Sequence, residues 1–159
     1  MKLQTLLEEE RSVLSVMGQQ ADTQYSFYCD EKSLTSLKGA PNKVGVAFYC
    51  HNNNLTSLEG GPTVVGSEDS MGFYNAECNN ITSLHDVHKH IKSVKKLSFR
   101  DNDIKSHVLG LMKIEGLETV WIDNQEVEDI MCKHLQGARN IFDCQAELED
   151  AGLEAYAQL

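Results

Sequence analysis

Positive charge is scarce in this chain. Its 159 residues carry 14 Lys and Arg against 24 Asp and Glu, a formal net charge of −10. That balance opposes general affinity for nucleic acid, because phosphate-backbone binding is driven by counterion release at Lys and Arg contacts. Long apolar runs are missing too. No stretch approaches the roughly 18 apolar residues of a membrane span, and Met1-Lys2-Leu3-Gln4-Thr5-Leu6-Leu7 meets Glu8-Glu9-Glu10 before a signal-peptide core could form. A cytoplasmic protein without membrane contact is expected, with protein partners, basic ones included. The five cysteines are an odd number without paired spacing, which predicts thiols instead of a disulfide framework. No GxGxxG, P-loop, Ser nucleophile elbow or CxxC pair occurs. No catalytic residue and no cofactor is therefore assigned, and the chain is not expected to be an enzyme.

What the chain has is a repeat. The spacing apolar-x-x-apolar-x-apolar-x-x-polar-x-apolar is cleanest at Val94, Leu97, Phe99, Asn102 and Ile104. Four worn copies align with it: Gln24, Phe27, Cys29, Lys32, Leu34; Gly45, Phe48, Cys50, Asn53, Leu55; Met71, Tyr74, Ala76, Asn79, Ile81; and Leu117, Val120, Ile122, Gln125, Val127. Their closing residues are 21, 26, 23 and 23 positions apart. Phe27-Tyr28-Cys29 through Leu34-Thr35-Ser36-Leu37-x-Gly39-x-Pro41 returns almost unchanged as Phe48-Tyr49-Cys50 through Leu55-Thr56-Ser57-Leu58-x-Gly60-x-Pro62. This is the spacing of a leucine-rich repeat, and it predicts an α/β solenoid, a horseshoe segment of about five repeats with helical N- and C-terminal caps. The length fits one domain, with a cap over 1–22, repeats over 23–128 and a second cap over 129–159.

Each unit should give a short strand, a turn at its Asn position and an outer return. Residues 2–18 read as an amphipathic helix that covers the first unit. The first two returns, which contain Gly and Pro, read as loops or single tight helical turns. Residues 106–115 and 128–135 read as helices, each followed by a Gly. Residues 66–70 form an inserted exposed loop, which is where a partner contact could be added. Residues 140–148 could imitate another strand, but Asn140 as N-cap and Asp143 in the first turn favour a helix over 141–151, with a last short helix through Leu153 and Tyr156.

Strand alternation sends the repeat positions inward and their neighbours outward. The outward set is Ser26, Tyr28, Asp30; Ala47, Tyr49, His51; Phe73, Asn75, Glu77; Lys96, Ser98, Arg100; and Thr119, Trp121, Asp123. Its middle column, Tyr28, Tyr49, Asn75, Ser98 and Trp121, carries three large aromatics, the residue type that anchors protein interfaces. The expected partner-binding residues are these five with His51, Phe73, Glu77, Lys96, Arg100 and Asp123, and Asp30 beside them. The competing reading is that the rings only pack on one another across a half-buried sheet.

Asn53, Asn79 and Asn102 are expected to be structural, pairing with backbone groups of neighbouring turns. His85-Asp86-Val87-His88-Lys89-His90 matches no zinc spacing and reads as a solvated outer loop, so no metal is assigned. Asp101 and Asp103 resemble the opening of a calcium loop but lack its Gly and distal Glu. Cys29 and Cys50 share a repeat position, so parallel strands about 4.8 Å apart would allow either a disulfide or two buried thiols.

The stretch Asn52-Asn53-Asn54-Leu55-Thr56-Ser57-Leu58 is similar to repeats of bacterial leucine-rich-repeat proteins, among them secreted effector ubiquitin ligases. Their separate catalytic domain has no room in these residues, so ligase activity is not expected. Phe48-Tyr49-Cys50-x-x-Asn53-Asn54-Leu55-Thr56-Ser57-Leu58-x-Gly60-x-Pro62 and Asp143-Cys144-Gln145-Ala146-Glu147-Leu148-Glu149-Asp150-Ala151-Gly152-Leu153-Glu154 resemble small leucine-rich-repeat proteins encoded by large tailed bacteriophages. The resemblance implies a bacteriophage protein in the host cytoplasm. The expected function is a non-catalytic protein-protein interaction module that inhibits a host defence or metabolic protein. The chain is expected to be a monomer or a weak homo-oligomer; a self-associating assembly protein is the alternative function, and a metal-dependent enzyme around His51 or His85 to His90 is the third.

Overall fold

The computed structural model describes residues 10–159. Among them, β1 (Phe27–Tyr28), β3 (Ala47–Tyr49), β5 (Phe73–Asn75), β6 (Lys96–Ser98) and β7 (Thr119–Trp121) form one parallel sheet in chain order. The intervening β2 (Lys43–Val44) and β4 (Val64–Val65) pair with each other in a second parallel sheet. The fold is mixed α/β, and its larger sheet stays open, with β1 and β7 at its edges.

The register of the larger sheet is the one the spacing predicts. Phe27, Phe48, Tyr74, Leu97 and Val120 lie side by side. The next inward row, Cys29, Cys50, Ala76, Phe99 and Ile122, is buried, as are the closing residues Leu34, Leu55, Ile81, Ile104 and Val127. Three repeat positions are not inward: Gln24 and Gln125 are exposed, and so is Met71. Met71 is 45% exposed, because the 66–70 insertion lifts the chain before β5. That insertion is pinned by the Lys95 ammonium, which donates to the carbonyl oxygens of Glu68 (2.7 Å) and Ser70 (3.0 Å).

The returns differ from expectation in three places. The β2–β4 pair continues through single bridges at Thr23–Val44, Val64–Ser93 and Ser93–Glu115, so the outer side carries its own ladder. Returns stacked one strand spacing apart bring backbone N–H and C=O groups within pairing reach, and buried groups of this kind are almost always paired. Residues 106–115 form a 3₁₀ helix over Val108–Lys113. With three residues per turn, Val108 lies over Leu111 and Leu109 over Met112, and all four are buried. His85 to His90 is more than a loop: α2 (Val87–His90) is a helical turn anchored by buried Val87, with Ile91 buried just after it.

At the N-terminal side, the described part of the helix expected over 2–18 is helical over α1 (Val13–Met17), capped by a reciprocal Ser12–Ser15 pair. Ser12 itself bridges to Ser36 of the first unit, which keeps it out of the helix. Leu3, Leu6 and Leu7 lie outside the described residues. Gly39 (φ +93°) allows the first return to pass α1, since a Cβ there would lie 2.6 Å from that of Leu14.

At the C-terminal side, α3 (Gln125–Gln136) starts three residues before the expected 128, because the Asn124 side chain caps it by accepting from Val127 N. Gln125 and Val127 thus belong to a helix. The helix α4 (Ile141–Asp150) is capped by Asn140 as expected. Lys133 and His134 on α3 both reach Glu147 on α4, at 2.8 and 2.7 Å. Arg139, in the joint between them, donates to the carbonyl oxygens of Leu135, Ile114 and Leu117. The last short helix is instead a run of turns. The Tyr156 hydroxyl ties it back to the Ile104 carbonyl at 3.0 Å, while His107 N and Val108 N donate to Ala155 and Tyr156.

Inside the core, Tyr74 is fully buried and meets Phe48 edge-on at 4.9 Å. Its hydroxyl has no partner among the described residues, so the fold carries the desolvation cost of a phenol without its hydrogen bond. Tyr74→Phe should therefore raise the unfolding free energy by about 1 kcal/mol, read as a higher midpoint in urea denaturation. A lower midpoint would mean that the hydroxyl is bonded.

Candidate interaction face

The turns that end the strands are held by Asn53, Asn79 and Asn102, all buried. Each Oδ1 accepts from the closing residue of the preceding unit: Leu34 N at 2.8 Å, Leu55 N at 2.9 Å and Ile81 N at 3.0 Å. Each amide nitrogen donates back to the preceding unit, to Cys29, Cys50 and Ala76, and also to its own, to Cys50, Ala76 and Phe99. Donors and acceptor are all used, as expected of a structural residue. This ladder sets the distance between units, and so the spacing of everything displayed beyond it.

On the other side of the sheet the aromatics form one strip. Tyr28 and Tyr49 stack nearly parallel, with centroids 4.8 Å apart and planes 4° off. Phe73 meets Tyr49 edge-on at 6.0 Å and meets Trp121 edge-on at 6.0 Å. Strands β5 and β7 are two spacings apart, about 9.6 Å, so Phe73 and Trp121 lean together across β6. Arg100 lies over Trp121, 5.9 Å from the ring centroid. The rings half-bury one another, and Tyr28 remains 58% exposed.

Two outward assignments need correction. Ser98 is only 1% exposed, roofed by the Phe73–Trp121 contact, and its hydroxyl donates to Glu77 Oε1 at 2.5 Å. It supports the face instead of presenting itself. Ala47 is buried as well. The remaining polar residues border the strip: Asn75 accepts from Glu77 N at 3.0 Å, Asp123 accepts from Asp101 N at 2.6 Å, and Lys96 is half-buried in line with Phe73.

Spacing alone gave no sign of one grouping. Asp30, Glu31 and His51 place one donor atom each within 4.8 Å of the others, with His51 Nε2 3.8 Å from Asp30 Oδ2. Among the described residues this is the group of donors that converges, and it could hold a cation; the His85 to His90 segment does not converge in this way. It was missed because Glu31 adopts φ 54°, which breaks the alternation that assigns strand residues to faces. His51 Nδ1 is buried without a partner. In the His85 to His90 segment, burial and the neighbouring Lys113 charge hold His88 below the usual histidine range.

The cysteines are all free thiols, which decides the Cys29–Cys50 question against a bridge. Burial pushes Cys29 up to about 12 and Cys50 well above the ordinary thiol value, so neither supplies thiolate at neutral pH. No family model, curated protein or solved structure matches this chain, and its function has to be read from the face itself.

Asn79→Ala leaves the buried Leu55 N–H unpaired and should cost about 1–3 kcal/mol in urea denaturation. Asn54→Ala, at an exposed neighbour of the ladder, should stay within about 0.5 kcal/mol. Equal effects at the two positions would refute the structural role.

Proposed function

We propose that the chain is a leucine-rich-repeat solenoid of about five coils, and that it binds a protein on the aromatic face of its sheet without catalysing a reaction. The observation that carries this reading is the continuous strip Tyr28–Tyr49–Phe73–Trp121. Its rings are fixed by one another, so little side-chain freedom is lost when a partner covers them. Beneath and beside the strip, polar groups are committed to each other, Ser98 to Glu77 and Asp123 to Asp101 N, an arrangement that suits recognition better than turnover. The repeat assignment is supported by the in-register inward rows and by the Asn ladder. The resemblance to bacteriophage leucine-rich-repeat proteins favours a host protein as the partner, bound in the host cytoplasm and inhibited by being covered.

Tyr49→Ala combined with Trp121→Ala tests the face. The double variant should melt within a few degrees of the parent chain and lose the proteins that the parent captures from bacterial lysate. A folded double variant that captures the same proteins would retire the reading.

A further inference from the structure

The two ends of the aromatic strip differ in one respect. At the Trp121 end the chain supplies its own cation, Arg100, over the indole. At the Tyr28 end there is an aromatic ring and there are carboxylates, and the guanidinium nearby, that of Arg11, is committed elsewhere, its Nε donating to the Lys32 carbonyl oxygen at 2.6 Å. Tyr28 sits on the edge strand β1, so one side of its ring faces Tyr49, and among the described residues no ring stacks on the other, consistent with its 58% exposure. Asp30 follows two residues on, about 6.6 Å along the strand on the same face, and Glu31 is turned in beside it. Among the described residues, no Lys or Arg forms an ion pair with Asp30 or Glu31, and His51 is the one basic side chain within 4 Å of Asp30.

Resting on the protein-binding reading above, we infer that the occupant of this face is a basic segment of the partner protein. That segment seats an arginine on the side of Tyr28 away from Tyr49, with its guanidinium paired to Asp30 and Glu31. Charge argues for it at two scales. The chain carries a net −10, and the row that begins at Asp30 runs on through His51, Glu77, Arg100 and Asp123, three carboxylates to one guanidinium. A planar guanidinium can stack on a phenol and pair with carboxylates at once, which an ammonium cannot. Arg100 over Trp121 shows the stacking part of that chemistry within the chain, at the opposite end of the strip.

The test uses the whole chain and fluorescently labelled heptaarginine, heptalysine and heptaglutamate, with binding read by anisotropy at low and at physiological ionic strength. Heptaarginine should bind several-fold more tightly than heptalysine, heptaglutamate should not bind, and salt should weaken the arginine complex. Asp30→Asn with Glu31→Gln should weaken heptaarginine about tenfold, and Tyr28→Ala should erase the preference for arginine over lysine. Glu149→Gln with Asp150→Asn, which removes the same charge from exposed positions on α4, should leave binding unchanged. All three altered positions at the site lie at or near the surface, and melting curves confirm that the variants fold. The inference is overturned if arginine and lysine peptides bind alike, or if the α4 variant weakens binding as much as the Asp30 and Glu31 variant does. Lysate capture that needs Tyr49 and Trp121 but ignores Asp30 and Glu31 would retire the arginine site alone. Capture indifferent to Tyr49 and Trp121 would retire the face reading beneath it.

Discussion

Three asparagine side chains hold this structure to its pitch. The strands of the larger sheet are two or three residues long, too short for their own hydrogen bonds to fix how one unit sits on the next. Asn53, Asn79 and Asn102 supply what is missing, because each bonds to two units at once from a buried position. An amide in that position has every donor and acceptor engaged, and any slip in register would strand several of them at once. The aromatic strip depends on this directly. Tyr28 stacks on Tyr49 at 4.8 Å because their strands are one spacing apart and in register.

The repeat was legible because it obeys two simple periods, alternation along each strand and a near-constant interval between units. Residues as far apart as Phe27 and Val120 could be assigned to one row from spacing alone. What escaped lies where neither period applies. The outer ladder at Lys43–Val44 and Val64–Val65 is too short to show alternation, and it follows from stacking, not from local preference. The 3₁₀ turn at Val108–Lys113 replaced an expected α-helix because tight winding aligns its apolar residues in two inward rows. Met71 fell outside the pattern since the insertion before it changes the path of the chain.

The aromatic strip was legible to a similar depth. Alternation identified Tyr28, Tyr49, Phe73 and Trp121 as outward, and the structure joins them. It could not foresee that large rings lean over small neighbours, which is how Phe73 and Trp121 bury Ser98. Nor could it foresee the grouping of Asp30, Glu31 and His51. Those residues come from two units, and one of them reaches the group through left-handed backbone.

The last strand has no following unit to pair with its donors and acceptors, and α3 meets that need: Glu128 accepts from Ile122 N at 2.9 Å and the Cys132 thiol donates to the Val120 carbonyl at 3.5 Å. Growth by duplication is therefore closed at that end. It remains open between the first and second units, which are near copies 21 residues apart and carry no helix between their strands. An extra tile inserted there would inherit a rung on both sides and lengthen the displayed surface by about 4.8 Å. Lineages could thus resize the footprint without redesigning either terminus.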